Sequence, residues 1–185
     1  LRDLLRKRSQ MVRQRTAQML SIQNLYARNS AERKTANQVR NMVAADIDQD
    51  TGEIHLNMAI KSNLAVFECI EEQVKQLEKE ALKCLQSNAQ FCWLKSTPGI
   101  GKILAMTILL ETGNIKRFAS AGNYASYCRC VGSKRTSNGK KKGEGNRKNG
   151  NKYLAWAFME AANFAIRFDD QIRRFYQRKQ AKTNG

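Results

Sequence analysis

An apolar stripe with the period of a coiled coil most constrains how this chain can fold. The stripe contains Ile60, Leu64, Phe67, Ile70, Val74, Leu77, Ala81 and Cys84. Because its members are three or four residues apart, they lie along one side of a helix, and they predict a single helix over residues 55–87. A helix of about 30 residues is roughly 45 Å long. Its apolar side must be buried against another helix, against its copy, or against both. We favour a homo-oligomer, a dimer or tetramer, formed through residues 56–87, with burial inside one chain as the alternative.

A second long helix is predicted over residues 1–28, where apolar residues also recur at helical spacing. Basic residues fill much of its remaining surface and are opposed only by Asp3. With residues 55–87 this helix would form a coiled-coil arm, in a first domain that spans residues 1–88. The basic side can lie along a nucleic-acid backbone or can be the solvated face of the arm. The candidate nucleic-acid contacts in the arm are Arg6, Arg8, Arg13 and Arg15.

Between these two helices the sequence predicts a short helix and a polar turn. The helix is expected over residues 31–45, with Ser30 as its N-cap. The turn, residues 46–57, opens with the aspartates of a calcium-binding loop, Asp46, Asp48 and Asp50. The rest of that motif is absent, because Thr51 occupies the glycine position and Asn57 the position of the bidentate glutamate. We therefore expect a polar turn and no calcium site.

A glycine-rich turn, Pro98-Gly99-Ile100-Gly101, lies between two apolar segments that predict helices. It resembles the hairpin of a helix-hairpin-helix DNA-binding element. Backbone N–H groups at the start of the second helix could bind a phosphate without reading bases, and Lys102 adds a positive charge. The alternative is a tight turn between two core helices. We favour phosphate binding through Gly99, Gly101 and Lys102.

The stretch from Gly132 to Lys152 has eight basic residues, one acidic residue and no apolar side chain. It cannot pack into a core, so we expect a surface loop or a segment held against a charged partner. The net charge of the whole chain, +17, and its pI of about 10 also indicate a polyanionic partner. The candidate phosphate-binding residues of the loop are Lys134, Arg135, Lys140, Lys141, Lys142, Arg147, Lys148 and Lys152.

Ser137 stands in the middle of this basic loop. The surrounding cations would stabilise an alkoxide and a pentavalent phosphorane, and the flanking glycines let the backbone approach a duplex closely. Both features favour a nucleophile over a serine that is merely solvated. No general base is near in the sequence, since Glu144 is the one carboxylate of the loop and the single histidine is His55.

The remaining segments also predict helices, and no alternating strand pattern is present. We therefore predict an all-α fold, in which the long coiled-coil arm is followed by a small helical domain over residues 89–185. That domain would contain the helix-hairpin-helix and the basic Gly-rich loop. No stretch of about 18 uncharged apolar residues predicts a membrane span. The five cysteines suit reduced core thiols, and their spacing does not suit a zinc site.

Two motifs within residues 91–184 resemble a known family. They are Thr97-Pro98-Gly99-Ile100-Gly101 and the string SYCRCVGSKRTSNGKKKGEGNRKNGNKYLAWAFMEAA. Together they are similar to the C-terminal transposase domain of the DEDD transposases of insertion-sequence family one hundred and ten, most of all to its sub-branch eleven hundred and eleven. A signature of the family is matched by Gly145, Lys148, Gly150, Asn151 and Leu154. The chain departs from the family at Gly132, where proline is usual, and at Asn146-Arg147.

The resemblance implies a bridge-RNA-guided DNA recombinase whose partners are DNA, a structured guide RNA and further copies of itself, with no membrane. It implies that Ser137 attacks DNA and forms a covalent phosphoserine intermediate while strands are cut and rejoined. Such transposases carry an N-terminal RuvC-like domain whose Asp and Glu residues bind two Mg²⁺ ions. That domain is not in this sequence, so we expect no cofactor in the chain itself.

We therefore expect the chain to be the arm and transposase domain of a longer bacterial enzyme, cytoplasmic and nucleoid-associated, and to be inactive alone. The competing hypothesis is a non-catalytic helix-hairpin-helix scaffold that binds nucleic-acid backbone through charge. Both hypotheses predict binding that weakens steeply with salt.

Overall fold

The computed structural model describes residues 1–30, 33–132, 134–144 and 149–183. Over these residues it confirms the predicted all-α architecture, with one small two-stranded sheet. The elements are α1 (Arg2–Asn29), α2 (Ala36–Arg40), α3 (Ala44–Thr51), α4 (Ile54–Leu85), α5 (Ala89–Ser96), α6 (Lys102–Thr112), a 3₁₀ turn (Ile115–Arg117), α7 (Ala121–Tyr127), β1 (Lys134–Ser137), β2 (Lys140–Glu144), α8 (Lys152–Phe168) and α9 (Asp170–Thr183). The chain divides into two compact units, one of them Asp3–Glu80 and the other Ala81–Gly185 with Leu1–Arg2.

In the unit Asp3–Glu80, the long helices α1 and α4 run antiparallel. Arg8 forms an ion pair with Glu78, and Arg15 forms one with Glu71. The two arginines are one heptad apart on α1, while their partners are one heptad apart in the opposite direction on α4. This spacing is typical of polar contacts that flank a coiled-coil seam.

The apolar stripe of α4 supplies much of the core of this unit. Ile60, Leu64 and Phe67 belong to one buried cluster with Ile22 and Tyr26 of α1. The cluster is completed by Val39, Ile47 and Leu56. This half of the stripe is therefore buried without a second copy of the chain, as the alternative of burial inside one chain requires.

The segment that leads from α1 towards α4 differs from the prediction, because α2 and α3 replace the single helix expected over residues 31–45. The N-cap is Thr35 and not Ser30. The hydroxyl of Thr35 accepts a hydrogen bond from the Gln38 N–H, and Oε1 of Gln38 accepts one from the Thr35 N–H at 2.7 Å. This capping box fixes where α2 begins. The Ser30 hydroxyl instead donates back to the carbonyl of Tyr26 at 2.9 Å.

The acidic stretch predicted as a polar turn is largely helical. Residues 46–51 lie in α3, whose C-cap Gly52 has the left-handed conformation (φ 64°), and residues 54–57 lie in the first turn of α4. Ile47 of α3 is fully buried in the core cluster, and this apolar contact offsets the weak helix preference of the surrounding aspartates. Asp48 accepts a hydrogen bond from Lys61 Nζ at 2.6 Å and Asp50 forms an ion pair with Lys34 at 2.9 Å.

The second unit is built on α6, whose residues from Leu104 to Ile108 are all buried. Helix α8 packs on α6 through the small residues Ala157 and Ala161 together with Leu154. Helix α5 precedes the glycine turn, and α9 follows α8 after a break at Asp169, which caps α9 through its carboxylate. Among the described residues, no helix is both long enough and apolar enough to cross a bilayer.

Candidate nucleic-acid interface

The glycine turn between α5 and α6 is packed against α8. Gly99 has a φ of +84°, and a Cβ atom there would lie 2.2 Å from the carbonyl oxygen of Ala161 and 2.6 Å from the backbone nitrogen of Ala165. The close packing of the turn against α8 thus requires a glycine at position 99. For Gly99 this favours the alternative given in the sequence analysis, a tight turn between two core helices. Of the three residues predicted to bind phosphate here, Gly101 and Lys102 are exposed and Gly99 is partly buried.

The start of α6 retains the features that suit an anion. Gly101 is the N-cap, and no side chain caps the first turn. The first N–H groups of a helix lack intrahelical partners and carry the positive end of the helix dipole. The exposed Lys102 begins this helix. Gly101 and Lys102 therefore remain placed where the sequence analysis expects a phosphate contact.

The first half of the basic loop is a β-hairpin, which the sequence analysis did not predict. Strand β1 pairs antiparallel with β2, with Ser137 opposite Lys140 and an irregularity between Arg135 and Thr136. Asn138 and Gly139 form the two-residue turn, with φ values of +52° and +72°. Two positive φ angles are typical of a type I′ turn, which matches the twist of the flanking strands.

Ser137 is exposed at the end of β1, next to this turn. Its cross-strand partner Lys140 is exposed as well. Residues directly opposite each other in an antiparallel pair point to the same face, with Cβ atoms about 4.5–5.5 Å apart. The hairpin therefore presents a hydroxyl and an ammonium group side by side to solvent.

The other predicted residues of the loop are distributed as follows. Lys134 and Arg135 lie on β1, and Lys141 and Lys142 lie on β2, where Lys142 is exposed. Lys152 is exposed at the first position of α8, with Nζ 5.2 Å from the ring centroid of Tyr153. Arg147 and Lys148 lie outside the described residues.

Hydrogen bonds hold the two ends of the loop together. The backbone N–H of Asn151 donates to the carbonyl of Tyr127 at 2.7 Å. Arg129 Nε donates to the carbonyl of Asn149 at 2.7 Å, and its Nη2 donates to that of Gly150 at 3.2 Å. Gly150 has a φ of +77°, and a Cβ atom there would lie 2.5 Å from the Tyr127 carbonyl oxygen. Residues 127–129 and 149–151, on the two sides of the hairpin, are therefore held together, and we call these two segments the stem.

Asn151 joins this stem to the core. Its side-chain oxygen caps α8 by accepting from the N–H groups of Tyr153 and Leu154 at 2.8 and 3.2 Å, and its Nδ2 donates to Oε2 of Glu111 at 2.7 Å. Both Asn151 and Glu111 are buried. A buried carboxylate without such a donor would be strongly destabilising. Asn151 therefore caps the start of α8 and also binds the buried Glu111 carboxylate of α6.

Two tyrosines of α7, Tyr124 and Tyr127, pack against the core cluster of this unit. Burial raises the pKa of Tyr124 to about 12, against the opposing effect of its 2.7 Å hydrogen bond with the Thr112 hydroxyl. Hydrogen bonding to Arg117, and also to Asn151, lowers the pKa of Tyr127. The Arg117 guanidinium lies 4.7 Å from the Tyr127 ring centroid. Burial also raises the pKa of the Cys128 thiol, so this cysteine is not an activated nucleophile.

The four arginines of the predicted nucleic-acid-binding arm lie on α1 and have partners within the protein. Arg8 and Arg15 are each engaged with a glutamate of α4. Arg13 Nε donates to the backbone carbonyl of Ser9 at 3.2 Å, and Arg6 lies 4.0 Å from Asp3. Three of the four predicted nucleic-acid contacts thus have an intramolecular carboxylate partner, and the pairs of Arg8 and Arg15 with α4 are the arrangement expected for the polar flank of a coiled coil.

Histidine, cysteine and acidic side chains do not form a metal-binding cluster in the described part of the chain. The described residues contain no group of three or more His, Cys, Asp and Glu side chains that could hold a metal ion. Asp48 and Asp50 of α3 form ion pairs with Lys61 and Lys34.

Sequence reasoning missed Asn151 as the residue that links loop, helix and core. The sequence analysis places Asn151 in a family signature and gives it no structural role. The available signal was its position directly before the apolar residues of α8, where Asn is a favoured N-cap. The missed hairpin also had a signal, since Asn-Gly is the strongest short hairpin turn. Glu111 gave no comparable signal in the sequence.

Comparison with known proteins adds an independent observation. Residues 93–177 match the family model described as the transposase IS116/IS110/IS902 family. The chain is also 26% identical over 127 residues to the insertion element IS110 uncharacterized 43.6 kDa protein of Streptomyces coelicolor. That match covers 69% of this chain and 31% of the relative, so the chain spans about a third of the relative's length. The stem, hairpin and glycine turn all lie within residues 93–177, the region that matches this transposase family model.

Proposed function

We propose that the chain is the DNA-binding and catalytic-serine part of a longer insertion-sequence transposase, which cuts and rejoins DNA strands through a covalent phosphoserine intermediate at Ser137. The observation that carries the proposal is the exposed pair of Ser137 and Lys140 at the tip of a basic hairpin. The family match over residues 93–177 supports transposition as the context. A structured guide RNA, which would choose the DNA sites, is part of the proposal and rests on the family resemblance.

The proposed step is a transfer of a phosphodiester from one strand to the serine. The Ser137 Oγ attacks the scissile phosphorus, so that an Oγ–P bond forms and the P–O bond to the departing strand breaks. The hydroxyl proton passes to a base that we assign to the part of the protein outside this chain, and the departing oxygen gains a proton. Lys140 and the exposed Lys142 stabilise the negative charge on the phosphorane.

The test is a Ser137→Ala substitution in the longer protein, assayed with supercoiled DNA and guide RNA. We expect strand exchange to disappear, together with the covalent protein–DNA adduct seen after denaturing electrophoresis, while DNA affinity is unchanged. A Ser126→Ala variant is the matched control, because Ser126 is an exposed serine of the same unit, outside the hairpin. Adduct formation by the Ser137→Ala variant would contradict the proposal.

The same experiment decides the competing hypothesis of a non-catalytic scaffold that binds backbone phosphates. The uncapped, exposed start of α6 at Gly101 and Lys102 is the observation in favour of it. If the unmodified protein binds DNA but gives no adduct under any condition that supports transposition, the scaffold hypothesis is preferred. Omission of the guide RNA should leave binding to DNA intact and remove the choice of site.

A further inference from the structure

Helix α9 carries a charge that the proposed function does not use. Its residues from Gln171 to Thr183 include five basic side chains and no acidic one. The basic residues are Arg173, Arg174, Arg178, Lys179 and Lys182. The helix packs on α8, so one side of it is held by the protein and the other side faces solvent.

Arg173 belongs to the side that faces the protein. Its Nη1 donates to Oδ1 of Asp170 at 2.8 Å, its Nε donates to the carbonyl of Ile166 at 3.0 Å, and its Nη2 donates to the carbonyl of Arg167 at 2.6 Å. The guanidinium thus binds the last carbonyl groups of α8, which lack intrahelical partners. Arg173 therefore stabilises the corner between the two helices.

Arg174, Arg178 and Lys182 form a separate row on the solvent side. They are four residues apart and therefore neighbours along one face of the helix, about 6 Å from one to the next. All three are exposed. Arg174 and Arg178 also line a shallow surface depression with Gln171 and Gln177, whose amides can donate hydrogen bonds.

The row has no counter-charge in the described part of the chain, where none of its three members has an ion pair with a carboxylate. This differs from α1, where Arg8 and Arg15 each have a glutamate partner. Like charges four residues apart on a helix repel each other and destabilise it. A row of phosphates along the helix would remove this repulsion and would accept hydrogen bonds from the guanidinium groups.

We propose that the row of Arg174, Arg178 and Lys182 is a second DNA-binding surface, which contacts backbone phosphates of duplex DNA separately from the hairpin. The inference rests on the proposed function in that DNA is the partner. It adds a surface outside the loop, with three cations spanning about 12 Å along the helix. The surface positions the duplex through its backbone, and it does not read the base sequence.

The test replaces the three cations by glutamine in the 185-residue chain, and binding to a fluorescent 30-base-pair duplex is followed by anisotropy over a range of NaCl concentrations. Each lost phosphate contact lowers the slope of log K against log [salt] by about 0.9. We therefore expect the R174Q/R178Q/K182Q variant to lose about 2.7 from the slope. The matched control is K75Q/K79Q/K83Q, which removes three exposed lysines of the same spacing from α4.

A loss of slope of the same size in the control would overturn the inference, because the effect would then reflect net charge alone. An unchanged slope in the α9 variant, with an unchanged helical circular dichroism spectrum, would overturn it as well. A K140Q/K142Q variant distinguishes failure of the inference from failure of the proposed function. If the hairpin variant weakens binding and the α9 variant does not, only the inference fails. If neither variant weakens binding, the proposed DNA-binding role of the hairpin fails with it.

Discussion

Gly150 shows how a single residue fixes the base of the hairpin. Its φ of +77° and the 2.5 Å approach to the Tyr127 carbonyl leave no room for a side chain. We expect Gly150→Ala to lower the free energy of unfolding by about 2–4 kcal/mol, since it combines left-handed strain with a backbone clash. Thermal unfolding followed by circular dichroism measures the loss.

Gly122→Ala is the control for this prediction. Gly122 lies in α7 of the same unit, and the nearest atom to its added Cβ would be Ser120 Oγ at 3.7 Å. Alanine is the better helix former, so the control should be neutral or stabilising by up to about 1 kcal/mol. Equal losses in the two variants would show that the stem does not have the close contact described above.

Tyr124 provides a prediction about alkaline pH. Its pKa is raised from 10.0 to about 12 by burial. The folded protein therefore keeps the phenol protonated where the unfolded chain has lost the proton, and the folded state binds more protons above pH 10. The stabilising contribution of Tyr124 is complete below pH 10 and is lost as the pH rises towards 12.

We expect the difference in unfolding free energy between the unmodified protein and Tyr124→Phe to shrink between pH 9 and pH 11, as measured by urea denaturation. Tyr176→Phe is the control, because Tyr176 is 45% exposed on α9. A difference that grows with pH for Tyr124→Phe would contradict the assigned direction of the pKa shift.

At the scale of elements, α8 depends on one side chain for its start. Asn151 caps the helix and also donates to the buried Glu111. We expect Asn151→Ala to lower the unfolding free energy by about 2–4 kcal/mol, of which about 1 kcal/mol is the cap and the rest the lost hydrogen bond to the buried Glu111 carboxylate. Asn88→Ala is the control, since Asn88 caps α5 through the Phe91 N–H and should lose about 1 kcal/mol. Similar losses for both would mean that the contact with Glu111 contributes nothing.

Helix α4 allows a test of where its apolar stripe is buried. Phe67 is 4% exposed in the core cluster, whereas its neighbour Val66 is 46% exposed. We expect Phe67→Ala to lower the unfolding free energy by about 3–5 kcal/mol, and Val66→Ala by less than about 1 kcal/mol.

Burial inside one chain predicts that the urea midpoint is independent of protein concentration. A midpoint that rises with concentration would show that the stripe is completed by a second copy.

The same elements show why the sequence predicted some parts of the fold and not others. The period of α4 extends over many residues, so the helix and the burial of most of its stripe are predicted correctly, although Cys84 at the end of the stripe is exposed. The hairpin was missed because its strands are polar on both faces, and its only signal is the turn at Asn138 and Gly139. The sequence analysis predicts a turn where α3 lies, because aspartates disfavour a helix, yet burial of Ile47 stabilises the helix. Contacts between distant residues, such as Asn151 with Glu111, leave no local pattern at all.

At the scale of the whole molecule, we expect this chain to bind DNA without cutting or rejoining it. The net charge of +17 gives the chain a strong general attraction for DNA, and the hairpin supplies an exposed hydroxyl at Ser137. The described residues supply no metal site, and the base proposed for Ser137 lies outside this chain. We therefore expect the 185-residue chain to bind duplex DNA with a steep salt dependence and to form no covalent adduct and no recombined product.

Anisotropy with a labelled duplex measures the binding, and denaturing electrophoresis of supercoiled DNA with guide RNA measures the chemistry. The longer protein, assayed in parallel, is the positive control for both, and its Ser137→Ala variant shows what binding without chemistry looks like. The chain alone should behave like that variant, because each lacks one half of the proton transfer, either the hydroxyl that gives the proton or the base that takes it. Recombination by the chain alone would show that the base lies within these 185 residues, and Glu144 of the hairpin would be the first candidate.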